Sequence, residues 1–399
     1  LRIALVCLHT SPADDPGTGD AGGMNVVVLH QARALAALGH TVDILTRRSS
    51  PDVAAVRKLG PGLVLRFLDA GPARPLPKGE HESVIDAFSA RLRDLGPYDV
   101  FHSHHWFSGM AALPIAQERR VPHVQSFHSI AADPATPLSE GERPESPGRL
   151  AGEAHLARAS DTVVAISAAE AHTVVSRLGG DPDRIVIVPP GVDAHLFHPW
   201  TGGRRGSGYV VAAARLQPLK GLDLAIEAVA AVFPDVRPEL IVAGEASADF
   251  DGYVDELRAL ADERGIAEKV HFIGPQSRPD LAALLRESRL VLVPSHSETY
   301  GLVALEASAS GVPVIASASG GLREAVVDDE TGIVIDSREP ADWGRAIERV
   351  LLDVQLAVRL ARAGRARAEA LSWPQSAIAL SDCYRTLVDA ASKSTGGAS

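Results

Sequence analysis

Arg215 and Lys220 enclose the short run Leu216-Gln217-Pro218-Leu219, and Gly221 follows directly. Two cations on a tight turn can converge on one diphosphate, the guanidinium through paired N–H groups and the ammonium as a point charge. Arg and Lys are ordinarily solvated, but this pair falls between a strand-like run and a helical one, where open α/β sheets bind anions. Glu298 and Glu306 stand eight residues apart, close to two turns of helix. Between them Gly301, Leu302 and Val303 open an apolar helix whose first amides would point at a phosphate. Carboxylates so placed accept hydrogen bonds from sugar or ribose hydroxyls. A capping Glu plus a surface Glu is the ordinary alternative, and the apolar residues around this pair fit it poorly. Gly17, Gly19, Gly22 and Gly23 crowd the loop before the first helix, where backbone amides without side chains can approach a ligand closely. An ordinary βα loop is shorter, and this one lacks the dinucleotide fingerprint.

Histidines are frequent. His102, His104 and His105 follow one strand-like run, and His128 ends the next with Ser129 beside it. No cysteine or carboxylate has metal-ligand spacing near them, so a metal site is disfavoured. His128, at a strand's carboxyl end, is the stronger functional candidate.

Parallel sheets with crossover helices must hold these groups, because short β-branched runs alternate with helical patterns throughout. Strands are predicted at 3–8, 41–46, 64–68, 100–102, 123–127, 162–166 and 185–188, with helices such as 26–38 and 83–95 between them. Residues 200–208 contain four glycines and no apolar period, which makes them a linker between domains 1–199 and 209–373. Further strands are predicted at 209–214, 239–243, 270–273, 290–293, 313–316 and 332–335. An amphipathic helix is predicted over 374–391, with a frayed tail at 392–399. Two doubly wound domains in series leave a cleft between the carboxyl ends of their sheets.

The 399 residues suffice for two such cores, and 46% apolar with 22% charged residues is a globular balance. A net charge of −11 argues against nucleic acid as a partner. Cys7 and Cys383 lie in apolar-periodic segments and read as buried free thiols, which fits a cytoplasmic setting. The opening run reads as a buried strand rather than a signal peptide, and no stretch has the length of a membrane span. Monomer and homodimer are both compatible with these totals.

Taken together, Glu298-x7-Glu306, Arg215-x4-Lys220 and the glycine loop resemble the retaining glycosyltransferases of family four. That resemblance implies the GT-B fold, with two Rossmann-like domains facing a cleft. His9-Thr10-Ser11-Pro12, residues 16–25, His102-Ser103-His104 and Trp373-Pro374 are similar to the mycothiol-pathway branch, which joins N-acetylglucosamine from UDP-GlcNAc to 1D-myo-inositol 3-phosphate. The resemblance implies that Gly22, Gly23, Arg215, Lys220 and the amides of Gly301, Leu302 and Val303 hold the donor diphosphate. It implies Glu298 on the sugar, Glu306 on the ribose, Gln276 near the base and His128 against the transferred sugar. For the acceptor it implies His9, Asp20, Asn25, Lys78, His105, Ser129 and Arg149.

The chain departs from the branch pattern where His105 replaces a tyrosine, Ser129 a threonine, Ala214 a glycine and Gln276 an arginine. These changes leave open a related enzyme with a GDP-sugar donor and a thiol acceptor. A non-catalytic nucleotide-sugar sensor is a third alternative, disfavoured by the retained charged residues. No cofactor is implied, and Mg2+ is not called for by ligand spacing. No carboxylate is evidently placed as a covalent nucleophile, so front-face attack with the departing diphosphate as base is expected.

Overall fold

The computed structural model describes residues 1–14, 22–137, 146–202, 208–246, 250 and 252–396, without the side chains of Lys78 and residues 394–396. The N-terminal half runs β1 (Arg2–Cys7), α1 (Gly23–Ala37), β2 (Thr41–Arg47), β3 (Val56–Gly60), β4 (Leu63–Leu68), α2 (Ile85–Arg93), β5 (Val100–His104), α3 (Trp106–Arg119), β6 (His123–Ser126), α4 (Arg149–Ala159), β7 (Thr162–Ala165), α5 (Ala168–Ser176) and β8 (Ile185–Ile187). Its sheet has the order β3-β4-β2-β1-β5-β6-β7-β8. All pairings are parallel except that of the edge strand β3.

The C-terminal half runs β9 (Val210–Ala213), α6 (Leu222–Ala231), β10 (Leu240–Ala243), α7 (Tyr253–Glu263), β11 (Val270–Phe272), α8 (Arg278–Glu287), β12 (Leu290–Val293), α9 (Leu302–Ala309), β13 (Val314–Ser317), α10 (Leu322–Ala325), β14 (Ile333–Ile335), α11 (Pro340–Leu352) and α12 (Val354–Ala370). Its parallel sheet has the order β11-β10-β9-β12-β13-β14.

Ile3 through Cys7 and Leu290 through Leu292 are buried, as strands covered by helices on both faces must be. Unbroken apolar runs therefore mark the central strands. The edge strand β3, Val-Arg-Lys-Leu-Gly, is mostly exposed and carries no such run, which is why periodicity passes over it. The helix expected over 83–95 divides into a 3-10 turn, Lys78–Val84, followed by α2. The first helix begins at Gly23, three residues earlier than its apolar pattern, because Asn25 Oδ1 accepts the Gly22 N–H at 3.1 Å and closes the first turn. Of the linker, residues 203–207 lie outside the described residues.

The last helix, α13 (Trp373–Gly396), continues past the expected end at 391, so residues 392–396 are helical. It leaves the C-terminal half and packs on the N-terminal sheet, burying Ala377, Leu380 and Tyr384 with Ile3, Leu35 and Val124. Polar contacts fix its position: Gln31 Nε2 donates to Ser376 Oγ at 3.0 Å, His40 Nε2 meets Ser381 Oγ at 2.9 Å, and Tyr384 OH meets His102 Nδ1 at 2.6 Å. A second tie joins the halves at α5, whose first amides, from Ala168 and Ala169, donate to the Glu324 carboxylate. A negative group at a helix start offsets unpaired N–H groups there.

Tyr384→Phe removes the hydroxyl and leaves His102 Nδ1 buried without its partner. It should lower unfolding free energy by about 1–2 kcal/mol, measured by urea titration. Unchanged stability would mean that this contact does not help hold α13.

Candidate functional site

The carboxyl ends of both sheets open onto one cavity of about 620 Å3. From the N-terminal half it is lined by the glycine loop at Gly22 and Gly23, by His9 and His105, and by His128 and Ser129. From the other half come Arg215 and Lys220, Gln276, Glu298 with the start of α9, and Glu306. Groups more than 270 residues apart in sequence thus face one another.

Lys220 reaches the cavity because Gly221 takes a left-handed conformation, φ +62°. A Cβ at Gly221 would lie 2.1 Å from the Pro294 carbonyl oxygen, so only glycine lets the β9–α6 junction press against the end of β12. That approach sets Lys220 Nζ 2.7 Å from Glu298 Oε1. Ser295 Oγ donates to the same oxygen at 3.2 Å. Gly320, φ +50°, lies so close beneath that a Cβ would fall 2.1 Å from the Glu298 carbonyl oxygen.

Two helix starts aim at the cavity, α1 through Gly22-Gly23 and α9 through Gly301-Leu302-Val303. A Cβ on Gly23 would lie 3.3 Å from Leu302 Cδ1, and one on Gly22 would lie 3.8 Å from Arg215 Nε. The glycine loop of one half therefore closes against the cationic turn and helix start of the other. Helix-start amides and fixed positive charge converge there, an arrangement suited to an anion.

Glu306 is the most buried carboxylate on this wall, its side chain 4% exposed. Arg278 Nη2 contacts its Oε1 at 2.6 Å, while Oε2 has no partner among the described residues. Sequence reasoning missed Arg278. A signal existed: a cation at the first position of α8 opposes the helix dipole and calls for a nearby carboxylate. Gln276, expected near a base, turns its amide Nε2 back to the carbonyls of Ile273, Gly274 and Pro275, each at 3.2 Å.

His128 has a left-handed backbone, φ +59°, uncommon for a non-glycine residue. Its carbonyl accepts Thr299 Oγ1 at 2.7 Å, a bond that crosses the cleft, and its ring Nε2 meets His104 Nδ1 at 2.8 Å. Thr299 was also missed, since nothing in a lone threonine announces a partner 171 residues away.

The residues expected on the acceptor side divide into wall and support. His9 and His105 face each other with ring centroids 4.4 Å apart. Arg149 does not line the cavity: it is buried behind Ser129, donating to its carbonyl and Oγ at 3.1 and 3.0 Å while pairing with Glu153 at 2.8 Å. Asn25 lines the cavity, but its amide is committed to Gly22, Thr10 and Ser11, so it braces the glycine loop. Lys78 begins the 3-10 turn whose Gly79 carbonyl accepts Ser146 Oγ beside α4. Asp20 lies outside the described residues.

Burial governs protonation here. It pushes His128 and His30 down to about 4 and His123 to about 3, and holds His102 and His104 well below their ordinary range. These imidazoles are neutral near pH 7. Glu170, also buried, is raised to about 7. As pH falls below about 6.5 the unfolded chain takes up protons that the folded histidines refuse, so stability is lost. Glu170 works oppositely, because its folded carboxyl binds a proton between about pH 7 and 4.5, but it is one group against several. Tm should therefore drop steadily from pH 6.5 towards 4 in calorimetry, and a flat Tm would contradict neutral buried histidines.

Residues 201–367 match the family Glycosyl transferases group 1, and residues 21–196 match Glycosyltransferase Family 4. The D-inositol 3-phosphate glycosyltransferase of Acidothermus cellulolyticus is 40% identical, over 96% of this chain and 90% of that one. Its namesake in Thermomonospora curvata is 38% identical over 99% and 98%. Among solved structures, sucrose-phosphate synthase from Thermosynechococcus elongatus superposes with TM-score 0.88 at 28% identity, covering 98% of this chain and 99% of that one. WaaG, a glycosyltransferase involved in lipopolysaccharide biosynthesis, shares the fold, with TM-score 0.69 at 17% identity over 96% and 99%. With both halves matched and its paired sheets arranged as in the GT-B fold, the chain belongs to the family-four retaining glycosyltransferases.

Proposed function

We propose that this enzyme transfers N-acetylglucosamine from UDP-GlcNAc to 1D-myo-inositol 3-phosphate with retention of anomeric configuration. One observation carries the donor side of this reading. The Gly22-Gly23 loop, Arg215, Lys220 and the start of α9 meet at one cavity although they come from separate domains. A diphosphate is a ligand with enough charge to draw them together. The full-length similarity to D-inositol 3-phosphate glycosyltransferases supports the acceptor.

In this mechanism the acceptor hydroxyl attacks the anomeric carbon on the face the diphosphate leaves. The bond to the leaving oxygen breaks as the new glycosidic bond forms, and the departing diphosphate takes the acceptor proton. Arg215, Lys220 and the amides of Gly301 to Val303 stabilise the charge growing on that oxygen. Glu298, already oriented by Lys220 and Ser295, accepts hydrogen bonds from the sugar hydroxyls. Glu306 offers its unpartnered Oε2 to a ribose hydroxyl. Protein cations supply the neutralisation, so the scheme calls for no cofactor.

A GDP-sugar donor with another acceptor is the second reading. It is favoured by Gln276, whose amide is occupied by backbone carbonyls, and by His105 on the acceptor wall. Incubation of the purified protein with UDP-GlcNAc and inositol 3-phosphate should release UDP and yield the glycosylated inositol phosphate. Release from GDP-sugars alone would favour the second reading. Lys220→Ala should reduce kcat/KM by about 10²–10³-fold, the cost of losing one group that stabilises the leaving charge. Near-normal turnover in that variant would remove Lys220 from the diphosphate site.

A further inference from the structure

His104 belongs to a sequence motif that the scheme above does not use, yet it is 1% exposed and touches His128 directly. We infer that His104 is a positioning residue that fixes the proton of His128 on Nδ1, so that the ring presents a neutral N–H to the sugar end of the cavity. The inference rests on the glycosyltransferase reading for its consequence in turnover, while the proton assignment stands on the hydrogen-bond network alone.

The network admits two neutral arrangements. In one, His104 Nδ1–H donates to His128 Nε2, leaving His104 Nε2 as a bare lone pair and His128 protonated on Nδ1. In the other, His128 Nε2–H donates, so His104 must carry its proton on Nε2. That nitrogen is buried and has no partner among the described residues. A buried N–H without an acceptor is rarer in folded proteins than an acceptor lone pair left unfilled, and desolvating it is costly. The first arrangement therefore prevails. Burial keeps both rings uncharged, which excludes the doubly protonated alternatives.

The surroundings hold this arrangement in place. Ser126 Oγ donates to the Val164 carbonyl, so it can only accept from His102 Nε2, and His102 Nδ1 must accept from Tyr384 OH. That fixes the tautomer of His102, whose ring packs on His104 at 4.2 Å between centroids. The remaining polar groups of His128 are also engaged: Glu170 takes its backbone N–H and Thr299 bonds its carbonyl. Nδ1 is left as the polar atom of His128 without a protein partner among the described residues. The chemistry it recognises is a hydroxyl oxygen of the transferred sugar, accepting one hydrogen bond from a neutral donor.

Protein labelled with 15N-histidine, with the His128 signals identified by their loss in His128→Gln, gives the tautomer from two-bond 1H–15N correlations. The wild type should show His128 protonated on Nδ1. His104→Asp, whose carboxylate can only accept at that contact, should draw the His128 proton to Nε2 and lower kcat about tenfold, the worth of one well-placed hydrogen bond. KM for the nucleotide sugar should stay within about twofold, because the diphosphate is gripped by other residues. His104→Asn, whose amide nitrogen falls near the Nδ1 position, should restore both tautomer and kcat, and UDP affinity should be unchanged in either variant. An Nε2–H His128 in the wild type overturns the inference. So does a His104→Asp protein with wild-type tautomer and kcat, or a His104→Asn protein no better than His104→Asp. If the wild type transfers no sugar from any nucleotide sugar while His128 is protonated on Nδ1, the proton assignment stands and the activity reading alone falls.

Discussion

The ion pair between Lys220 and Glu298, 2.7 Å across the floor of the cleft, ties together two βα junctions that the chain reaches 78 residues apart. Both side chains are mostly shielded from water, 15% and 20% exposed, so neither charge is well solvated and each depends on the other. The backbone beneath is compressed to make this contact, with Gly221 against Pro294 and Gly320 against Glu298 at separations that no side chain tolerates. An anion entering the cleft meets a cation already oriented by a carboxylate. It does not have to order a flexible lysine, whose side-chain freedom is expensive to remove.

Around that floor, charge is arranged by layers of support. Arg278 holds one oxygen of Glu306 and leaves the other unpartnered. Arg149 pairs with Glu153 and donates to Ser129. His104 holds His128. Arg149 and His104 are buried groups that restrain residues facing the cavity, and Arg278 lines the cavity beside the Glu306 it holds, so the geometry is kept before a ligand arrives. Thr299 adds a bond between the halves, so the position of His128 and the spacing of the two domains are linked.

α13 has a comparable architectural role. It begins beside the C-terminal half and ends buried on the N-terminal sheet, so the two domains share a helix as well as a linker. Its Tyr384 ends a hydrogen-bonded path that runs through His102 to β6, and the His102 ring packs on His104 behind the cavity's His128.

The sequence by itself determined the two α/β halves, the order of strands and helices along the chain and the three junctions that line the cavity. Those features are local: apolar runs mark strands covered on both faces, and the glycines of residues 17–23 and the cation turn at 215–220 each lie within a few residues. The exposed strand β3 lacked that signal, and the cap at Asn25 moved the first helix start. Only the tertiary structure decided that Arg149 stands behind Ser129, that Gln276 turns away while Arg278 engages Glu306, and that Thr299 reaches His128. Each outcome depends on which partner lies nearest in space, and apart from the local turn of Gln276 these pairings span 20 to 171 residues. Hydrogen bonds and ion pairs form over about 3 Å, a distance that residue spacing along a chain does not encode.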